Sequence, residues 1–403
     1  MSKSSDVTRV KVENLYKIFG SGNLDEAYEL VNQGKGKDEI FEETGLTIGV
    51  KGASFEVQGN EIFVVMGLSG SGKSTLVRML NRLINPTSGT VLIEGNDISN
   101  LNKDDLVKLR RDYMSMVFQS FALLPHLTVA ENAALGLSMA GKSPEDQEKR
   151  AMEVLEMVGL KANANSYPGE LSGGMQQRVG LARGLATDPD IMLMDEAFSA
   201  LDPLIRSQMQ DELLRIQEED PRTIIFISHD LDEAIRIGDR IAIMDAGEIV
   251  QIGTPEDILK VPANDYVRSF FRGVDPTMVF TAREIARDHY ETIIRHKGVG
   301  PRTALEQLYH SDATVGYILN SKKQYEGMVS ARKLKEVVES GGALEDAYID
   351  NVSPVGCDEY LQDVLGKITD SEYPAPVVDE NNVYQGAISR RRFLKTLVKT
   401  EAE

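Results

Sequence analysis

The segment of this chain that most restricts its fold is Gly67–Thr75, which has the sequence GLSGSGKST. It follows Ile62–Met66, an apolar run typical of a buried strand, and it precedes Leu76–Leu83, for which we predict a helix. A strand, a glycine-rich loop and a helix in this order form a phosphate-binding loop, because glycines let backbone N–H groups surround an anion and the helix N-terminus adds partial positive charge. We therefore expect a nucleotide to be bound through Gly67, Ser69, Gly70, Ser71, Gly72, Lys73, Ser74 and Thr75.

Several side chains have specific expected roles in such a site. Lys73 is expected to reach the β- and γ-phosphates, and the Ser74 hydroxyl to bind Mg²⁺. The apolar run Ile191–Met194 ends in Asp195 and Glu196, and the carboxyl end of a parallel strand faces the phosphate crevice. We therefore predict that Asp195 holds Mg²⁺, directly or through water, and that Glu196 polarises the attacking water. The alternative is a strand that ends in two solvated acids.

Composition indicates a globular protein of a reducing compartment. The 403 residues are enough for two or three domains, and apolar and charged residues make up 41% and 27%. No apolar run approaches the ~18 residues of a membrane span, and Met1–Asp6 has no apolar stretch typical of a secretory signal. The single cysteine, Cys357, excludes an internal disulfide. The net charge of −19 argues against a nucleic-acid partner.

Strand and helix signals indicate how the chain is organised. After an alternating run at Val7–Leu15, residues 21–50 interrupt the pattern and are interpreted as an insertion before the next strand, Ala53–Val57. From there to about Leu259 strands alternate with helices, which predicts an α/β fold with a largely parallel sheet. Further strands are predicted at Met114–Phe118, Asp190–Met194, Thr223–Ser228 and Arg240–Asp245.

The C-terminal part contains two weakly similar stretches. One includes Tyr325–Arg332 and the other Val383–Arg390, and in each a strand and a turn precede a glycine, two apolar residues, a serine and an amphipathic helix. This pattern predicts two copies of one supersecondary unit, at about 280–341 and 350–400. The alternative is a chance similarity between two ordinary strand–helix units.

A second anion-binding helix start is predicted at Leu171–Gln177, which has the sequence LSGGMQQ. Ser172 can cap the helix Met175–Ala186, and the two glycines expose backbone N–H groups. One nucleotide rarely needs two such sites in one chain. Two anion-binding helix starts in one chain are expected if the second one contacts a nucleotide that is bound to another copy of the chain.

The chain resembles the ATPase subunit of an ABC transporter over about residues 8–260. The motifs that support the resemblance are Gly67–Thr75, Gln119, Leu171–Gln177, Asp195–Glu196, Ser199–Asp202 and Ser228–Asp230. The resemblance implies an α/β P-loop NTPase domain of ABC type at 1–275, with a RecA-like core and a helical signalling subdomain at about 120–180. It also implies ATP and Mg²⁺ as cofactors.

In that family two copies enclose two ATP molecules, each held by the phosphate loop of one copy and covered by the signature segment of the other. The resemblance implies that His229 contacts the γ-phosphate, and that Gln119 touches Mg²⁺ and reports to the membrane partner. Asp202 is implied to cross the dimer interface. The residues implied to act at that interface are Leu171, Ser172, Gly173, Gly174, Met175 and Gln176 of the signature segment, with Ser199 and Asp202.

Two further contacts are expected from the resemblance. Adenine stacks on an aromatic side chain near the first strand, for which Phe19 fits best and Tyr16 is the alternative; core packing also explains Phe19. The apolar, proline-containing segment Gln119–Val129 suits a groove that receives a short helix of a permease. Ordinary packing of a helical subdomain explains it about equally well.

The resemblance narrows to importers of quaternary-amine osmoprotectants of the glycine-betaine/proline-betaine type. It rests on Phe118–Leu123, Asp195–Arg206 and Phe270–Asp275, on the insertion and on the C-terminal repeats, which match an α+β tandem CBS module at 280–400. It implies an integral-membrane permease with a substrate-binding domain as partner, and a peripheral position on the cytoplasmic face of the inner membrane. The cargo rests on likeness alone; another small solute, or a soluble ABC ATPase acting on DNA or ribosomes, is the alternative.

The segment Ser389–Thr400 is predicted to be a helix with an apolar and a basic face. We expect the basic face to meet anionic lipid headgroups at low ionic strength and to be released as salt rises; a solvated face is the alternative. The apolar face is assigned Phe393, Leu394, Leu397 and Val398, and the basic face Arg391, Arg392, Lys395 and Lys399.

CBS modules commonly bind adenine-type nucleotides with residues at the start of such a helix. Ser389 and Arg390 match those positions, with Val355 as a partner near the start of the module. The resemblance thus implies a regulatory nucleotide or cyclic dinucleotide site. The alternative is that the repeats serve only to dimerise the chain.

Overall fold

The computed structural model describes residues 7–271, 275–296, 298–350 and 352–399. The chain divides into two compact units, Met1–Phe271 and Arg272–Glu403. In the described part of the chain, no helix combines the length and apolar character needed to cross a bilayer.

The first unit mixes strands and helices throughout. Its strands are β1 (Thr8–Phe19), β2 (Thr47–Gln58), β3 (Ile62–Met66), β4 (Ser88–Ile93), β5 (Asn96–Asp97), β6 (Met114–Phe118), β7 (Ile191–Asp195), β8 (Thr223–Ser228), β9 (Arg240–Asp245) and β10 (Glu248–Gly253). Its helices are α1 (Leu24–Asn32), α2 (Lys37–Thr44), α3 (Lys73–Leu80), α4 (Lys103–Tyr113), α5 (Val129–Met139), α6 (Pro144–Met157), α7 (Gly173–Ala186), α8 (Pro203–Glu219), α9 (Leu231–Ile237), α10 (Pro255–Lys260) and α11 (Asp265–Phe270).

A six-stranded sheet of order β10-β9-β3-β8-β7-β6 forms the core of this unit, and all its strand pairs are parallel except β10 with β9. Every residue of β3, β7 and β8 is buried, as expected where helices cover both faces of a parallel sheet. Met66 pairs with Ser228, and Phe118 pairs with Asp195. The carboxyl ends of four strands therefore meet at one edge, and the predicted α/β fold is confirmed.

A second, antiparallel sheet of order β2-β1-β4-β5 lies in the same unit. It corrects the predicted insertion, because Thr47 and Ile48 already pair with Phe19 and Ile18, so that β2 begins well before Ala53. The helix predicted at Leu76–Leu83 instead begins at Lys73 and ends at Leu80. Arg82 has a φ of +55°, a left-handed conformation that no α-helix continues through.

The segment between β1 and β2 forms the helical pair α1 and α2, which we call the inserted helices. Their apolar side chains make a buried cluster against the two strands. The cluster consists of Ile18, Ala27, Leu30, Val31, Ile40, Leu46 and Ile48, with Tyr16 and Tyr28 packed beside it. The inserted helices are therefore a packed part of the unit.

The second unit contains two three-stranded sheets with the same design, β11-β12-β13 and β14-β15-β16. In each, the first strand is parallel and the third antiparallel to the middle one, and a helix follows. The two sheets meet through matching bonds: Tyr325 N–H donates to Asn382 O, and Tyr384 N–H donates to Lys323 O. The elements are α12 (Ala282–Ile285), β11 (Thr292–Ile294), α13 (Pro301–His310), β12 (Val315–Leu319), β13 (Tyr325–Ser330), α14 (Ala331–Ser340), β14 (Val355–Gly356), α15 (Leu361–Thr369), β15 (Ala375–Val378), β16 (Tyr384–Ile388) and α16 (Arg390–Lys399).

Candidate nucleotide site

The phosphate loop connects the end of β3 to the start of α3. Gly72, the residue before α3, has a φ of +102°, and a Cβ atom there would lie 2.2 Å from the carbonyl oxygen of Gly49. Only glycine fits this position, because a side chain would meet both the backbone strain and the neighbouring strand. The loop leads directly into the N-terminus of α3, in the strand–loop–helix order that the sequence predicts.

Lys73 is buried at the first turn of α3. Its Nζ donates hydrogen bonds to the carbonyl oxygens of Gly67 and Leu68, at 2.8 and 3.0 Å. Burial lowers the pKa of this ammonium, and the nearby carboxylates of Glu196 and Asp195 partly oppose that shift. The phosphate loop therefore holds an ammonium group close to its own backbone.

Ser74 and Asp195 join the loop to the end of β7. The Ser74 hydroxyl donates to Asp195 Oδ1 at 2.9 Å, and Arg78 Nη2 lies 3.1 Å from Asp195 Oδ2. A hydroxyl and a carboxylate are the oxygen ligands that Mg²⁺ accepts, and this ion takes few protein ligands when a phosphate supplies others. The pair therefore fits an Mg²⁺ ion, although the described residues contain no group of three or more acidic, histidine or cysteine side chains that could hold a metal alone.

Glu196 lies at the centre of a polar cluster that three strands bring together. Gln119 follows β6, and its Nε2 donates to Glu196 Oε2 at 3.3 Å and to Ser199 Oγ at 3.0 Å. His229 follows β8, and its Nδ1 lies 3.4 Å from the same carboxylate oxygen. Glu196 itself has a φ of +48°, a conformation that is rare outside glycine and common at functional sites.

A cavity of about 300 Å³ lies over the phosphate loop. Phe19 borders it with a side chain that is 38% exposed, and Lys17 Nζ lies 5.0 Å from the centre of its ring. Tyr16 instead packs edge-on against Tyr28 at 5.3 Å. The cavity is lined by Phe19, Lys37, Thr47, Ile48, Gly49, Ser69, Gly70, Gly72, Lys73, Ser74, Thr75 and Glu196.

Sequence reasoning missed four residues of this lining. Thr47, Ile48 and Gly49 belong to β2, inside the segment interpreted as an insertion, and Lys37 begins α2. None of them belongs to a local motif. The pairing of β2 with β1 brings Thr47, Ile48 and Gly49 to the cavity, and the packing of α2 brings Lys37. Lys37 is visible in the sequence as a positive residue of the insertion, but no sequence pattern places it at the nucleotide cavity.

The signature segment does not line this cavity. Ser172 caps α7 by accepting a hydrogen bond from Met175 N–H at 3.3 Å, and Gly173 is exposed. Gln176 Nε2 donates to the carbonyl oxygens of Pro168 and Leu171. Asp202 caps α8 and is exposed. Within one chain, the structure thus leaves the second helix start apart from the phosphate loop.

A larger cavity, of about 550 Å³, lies beside the segment that follows Gln119. Phe121 and Ala122 in that segment have φ values of +57° and +50°. Arg183 of α7 donates to both of their carbonyl oxygens, with a distance of 2.9 Å to Phe121 O, and burial lowers its pKa. The cavity lies between α4, β6, α5 and α7, and Met139 at its border is 80% exposed.

The residues expected to regulate the protein lie in the second unit. Arg391 and Lys395 are exposed, whereas Arg392 is half-buried and its Nε atom is buried without a partner among the described residues. Of the residues assigned to the apolar face, Phe393 is fully buried, whereas Leu394 is 47% exposed. The side chains of Leu397, Val398 and Lys399, and residues Arg272–Val274 of the expected motif, lie outside the described part of the chain.

The expected nucleotide-contacting residues of this unit differ in accessibility. Val355 is fully buried in the core, so its side chain cannot reach a ligand. Arg390 is exposed, and the Ser389 hydroxyl accepts a hydrogen bond from Arg392 N–H at 3.2 Å. Only backbone atoms of Val355 remain available for such a contact.

The fold and the site together define an ABC-type ATPase. The family model described as ABC transporter matches residues 50–199. A dimeric structure of the ATP-binding cassette MJ0796 bound to ADP and Pi matches with a TM-score of 0.52 and 34% identity, over 61% of this chain and 98% of that one.

Two curated relatives match almost the whole chain. The glycine betaine/proline betaine transport system ATP-binding protein ProV of Salmonella typhimurium is 52% identical over 96% of this chain and 97% of its own length. The glycine betaine transport ATP-binding protein OpuAA of Bacillus subtilis is 48% identical over 98% of this chain and 94% of its own length. The chain belongs to the family of glycine betaine/proline betaine ABC transporter ATP-binding subunits. It is an ATP-binding subunit whose ATPase activity is coupled to transport.

Proposed function

We propose that this chain hydrolyses ATP to drive the uptake of a quaternary amine such as glycine betaine during osmotic stress. The observation that carries the proposal is one cavity lined by Lys73, Ser74 and Glu196. Asp195 is hydrogen-bonded to Ser74, and His229 lies beside Glu196. The cargo is inferred from relatives whose names include glycine betaine and which match nearly the full chain. An ATPase subunit does not touch the cargo, so its own residues cannot identify it.

In this proposal each polar residue of the site has one task in hydrolysis. Glu196 orients and polarises the attacking water, and His229 contacts the γ-phosphate beside it. Ser74 and Asp195 hold Mg²⁺, with Gln119 as a further contact. The ion would neutralise charge on the β- and γ-phosphates. The hydrogen bonds of Gln119 to Glu196 and Ser199 hold the water-orienting carboxylate in place.

We assign adenine binding to Phe19 and closure of the site to a second copy of the chain. The partly exposed Phe19 in the lining of the cavity supports stacking of adenine on its ring. The position of Leu171–Gln176 outside this cavity supports a contact with the nucleotide of a twin subunit, with Ser199 and Asp202 at the same interface. The related cassette MJ0796 is itself dimeric.

The larger cavity beside the Gln119 segment is proposed as the docking groove for a permease helix. Its lining is mainly apolar, and the exposed side chains of Val107 and Met139 at its border favour a partner that buries them. The permease would carry the substrate-binding domain and hold the chain, as a peripheral subunit, at the cytoplasmic face of the inner membrane. Such a groove suits an amphipathic helix.

We assign the ATPase domain to 1–275, with a helical subdomain at about 120–180, and a tandem CBS module to 280–400, with repeats at about 280–341 and 350–400. Two sheets of identical design, joined by matching hydrogen bonds, support the module. Regulation through lipid or a nucleotide is part of the proposal. The basic face would bind anionic lipid at low salt, and a nucleotide would bind near Arg390.

Reconstitution tests the transport function. The chain is combined in proteoliposomes with the membrane polypeptide encoded beside it, and ATP-driven uptake of labelled glycine betaine is measured. We expect uptake that requires ATP and Mg²⁺ and that disappears with Lys73→Ala. Competition by other solutes, including trimethylamine N-oxide, identifies a different cargo. Hydrolysis without uptake of any small solute would contradict the importer assignment.

Neutralising the basic face tests the lipid proposal. The variant replaces Arg391, Arg392, Lys395 and Lys399 with glutamine, and transport is measured against salt concentration in vesicles with anionic lipid. We expect transport to become active at low salt. The matched control changes Arg332 and Lys335, which occupy the equivalent helix of the first repeat, to glutamine and should keep salt gating. Unchanged gating in the first variant refutes the lipid contact.

A further inference from the structure

The inserted helices supply one wall of the nucleotide cavity. Lys37, the first residue of α2, lines this cavity together with Phe19 and Lys73. Its Nζ donates a hydrogen bond of 3.0 Å to the carbonyl oxygen of Gly70, in the middle of the phosphate loop. A lysine that is distant in sequence from every nucleotide motif therefore reaches the loop that binds phosphate.

Packing of the inserted helices fixes the backbone that carries Lys37. Ile40, one turn after Lys37, is 1% exposed and packs in the buried cluster that includes Ile18 and Ile48. The hydroxyls of Tyr28 in α1 and Ser88 in β4 form a hydrogen bond of 2.6 Å. Because the backbone around Lys37 is ordered, only its side chain has to be fixed when it makes a contact, which keeps the entropic cost small.

Lys37 differs from the neighbouring lysines in the partner of its ammonium group. Lys35 pairs with Glu43 at 2.5 Å, and Lys51 pairs with Glu248. In the part of the chain that the structure describes, Lys37 bonds a carbonyl and no carboxylate. Lys73 is likewise bonded to carbonyl oxygens of the phosphate loop. Two ammonium groups thus approach the loop from different elements.

We propose that Lys37 is a second lysine of the nucleotide site and binds the polyphosphate of ATP together with Lys73. This inference rests on the nucleotide site proposed above. An ammonium group has three donors, so Lys37 can keep its bond to Gly70 and donate to a phosphate oxygen as well. A charge-assisted bond of this kind is stronger than a neutral one. The inserted helices are therefore part of the nucleotide-binding site. Their contribution to binding affinity increases with the number of phosphates of the nucleotide.

The test compares ATP with AMP in the full-length chain. Binding is measured by competition with a fluorescent nucleotide for the parent, Lys37→Ala and Lys37→Arg. We expect Lys37→Ala to weaken ATP by about tenfold, the size of one charge-assisted hydrogen bond, and AMP by about twofold or less. Lys37→Arg should restore most of the ATP affinity, because it returns the charge.

Two controls separate this role from others. Lys35→Ala removes a positive charge from the same segment but not from the cavity, and it should keep ATP affinity. Parental affinity in Lys37→Ala, an equal loss for ATP and AMP, or an equal loss in Lys35→Ala overturns the inference. If thermal unfolding shows that Lys37→Ala does not fold, the comparison of Lys37→Met with Lys37→Arg decides in the same way. Parental affinity in Lys73→Ala would instead refute the nucleotide site itself.

Discussion

His229 Nδ1 lies 3.4 Å from Glu196 Oε2, which connects the end of β8 to the end of β7. The parallel register of these strands makes the contact possible, because Asp195 pairs with Ile227 and each functional residue follows its strand directly. In the proposed mechanism, Glu196 orients a water while His229 contacts the γ-phosphate from the neighbouring strand end. The two residues are expected to act as one unit.

Glu196→Gln is expected to separate ATP binding from hydrolysis. Hydrolysis should fall by about 10²–10⁴-fold, the range that a positioned general base contributes, while ATP binding persists because the phosphate loop is unchanged. The ATP-loaded dimer should then accumulate, as measured by light scattering with ATP and Mg²⁺. A variant that stays monomeric and hydrolyses ATP at the parental rate would contradict both the role of Glu196 and the composite site.

Ser74→Ala is expected to weaken the use of Mg²⁺. The change removes the hydroxyl that donates to Asp195 at 2.9 Å and leaves Arg78 as a partner of that carboxylate. The Mg²⁺ concentration that gives half-maximal hydrolysis should rise about tenfold, and excess Mg²⁺ should restore much of the rate. Ser115→Ala in β6 is the matched control, because Ser115 Oγ is buried without a partner among the described residues and does not line the nucleotide cavity. Equal Mg²⁺ dependence of both variants counts against the assignment.

Motifs that are local in sequence predict most of the residues that the structure brings together at the candidate site. Gly67–Thr75, Asp195–Glu196 and His229 each follow a buried parallel strand, and such strand ends converge whatever the rest of the chain does. The sequence could not place Lys37, because its position depends on Ile40 packing against β1 and β2. Contacts between distant segments leave no periodic signal in either segment.

The second unit also shows that sequence patterns do not determine which side chains are buried. Val355 was assigned to a ligand site by likeness, but its side chain belongs to the core. Leu394 has the spacing of an apolar face, yet it is 47% exposed, whereas Phe393 is fully buried. Helical periodicity tells which residues share a face but not how wide a strip of that face its neighbours cover.

Arg183→Met is expected to uncouple hydrolysis from transport. Arg183 donates hydrogen bonds to the carbonyl oxygens of Phe121 and Ala122, two residues in the left-handed conformation. They follow Gln119 closely and lie beside the proposed permease groove. Without Arg183 these carbonyls lose their partner and the segment relaxes from its strained conformation. Transport per ATP hydrolysed should fall about fivefold or more, a change of about 1 kcal/mol in coupling.

A second arginine provides the control for this variant. Arg150 also donates to backbone carbonyls of α7, those of Leu185 and Ala186 at the C-terminal end of the helix. Arg150→Met should change stability without changing the ratio of transport to hydrolysis. If both variants lower that ratio equally, the effect belongs to α7 as a whole and not to the Gln119 segment.

Glu233→Gln is expected to change how stability depends on pH. Glu233 is buried at α9, and desolvation raises its pKa above the usual 4.5, opposed by hydrogen bonds from Ser228 and Gln210. Because the folded state holds this proton more tightly, the contribution of Glu233 is fully present below pH 4.5 and is lost as the pH rises through the raised pKa. The stability advantage of the parent over Glu233→Gln, measured by urea unfolding, should therefore shrink as the pH rises from 4.5 to neutral.

Glu131→Gln serves as the comparison of opposite sign. Glu131 is exposed and accepts hydrogen bonds from the backbone N–H and hydroxyl of Thr128, which lower its pKa. Its contribution is present above its usual pKa and is lost as the pH falls through the lowered one. The parental advantage over Glu131→Gln should therefore grow with rising pH, while the advantage over Glu233→Gln shrinks. Parallel pH profiles for the two variants would show that burial of Glu233 does not control its ionisation.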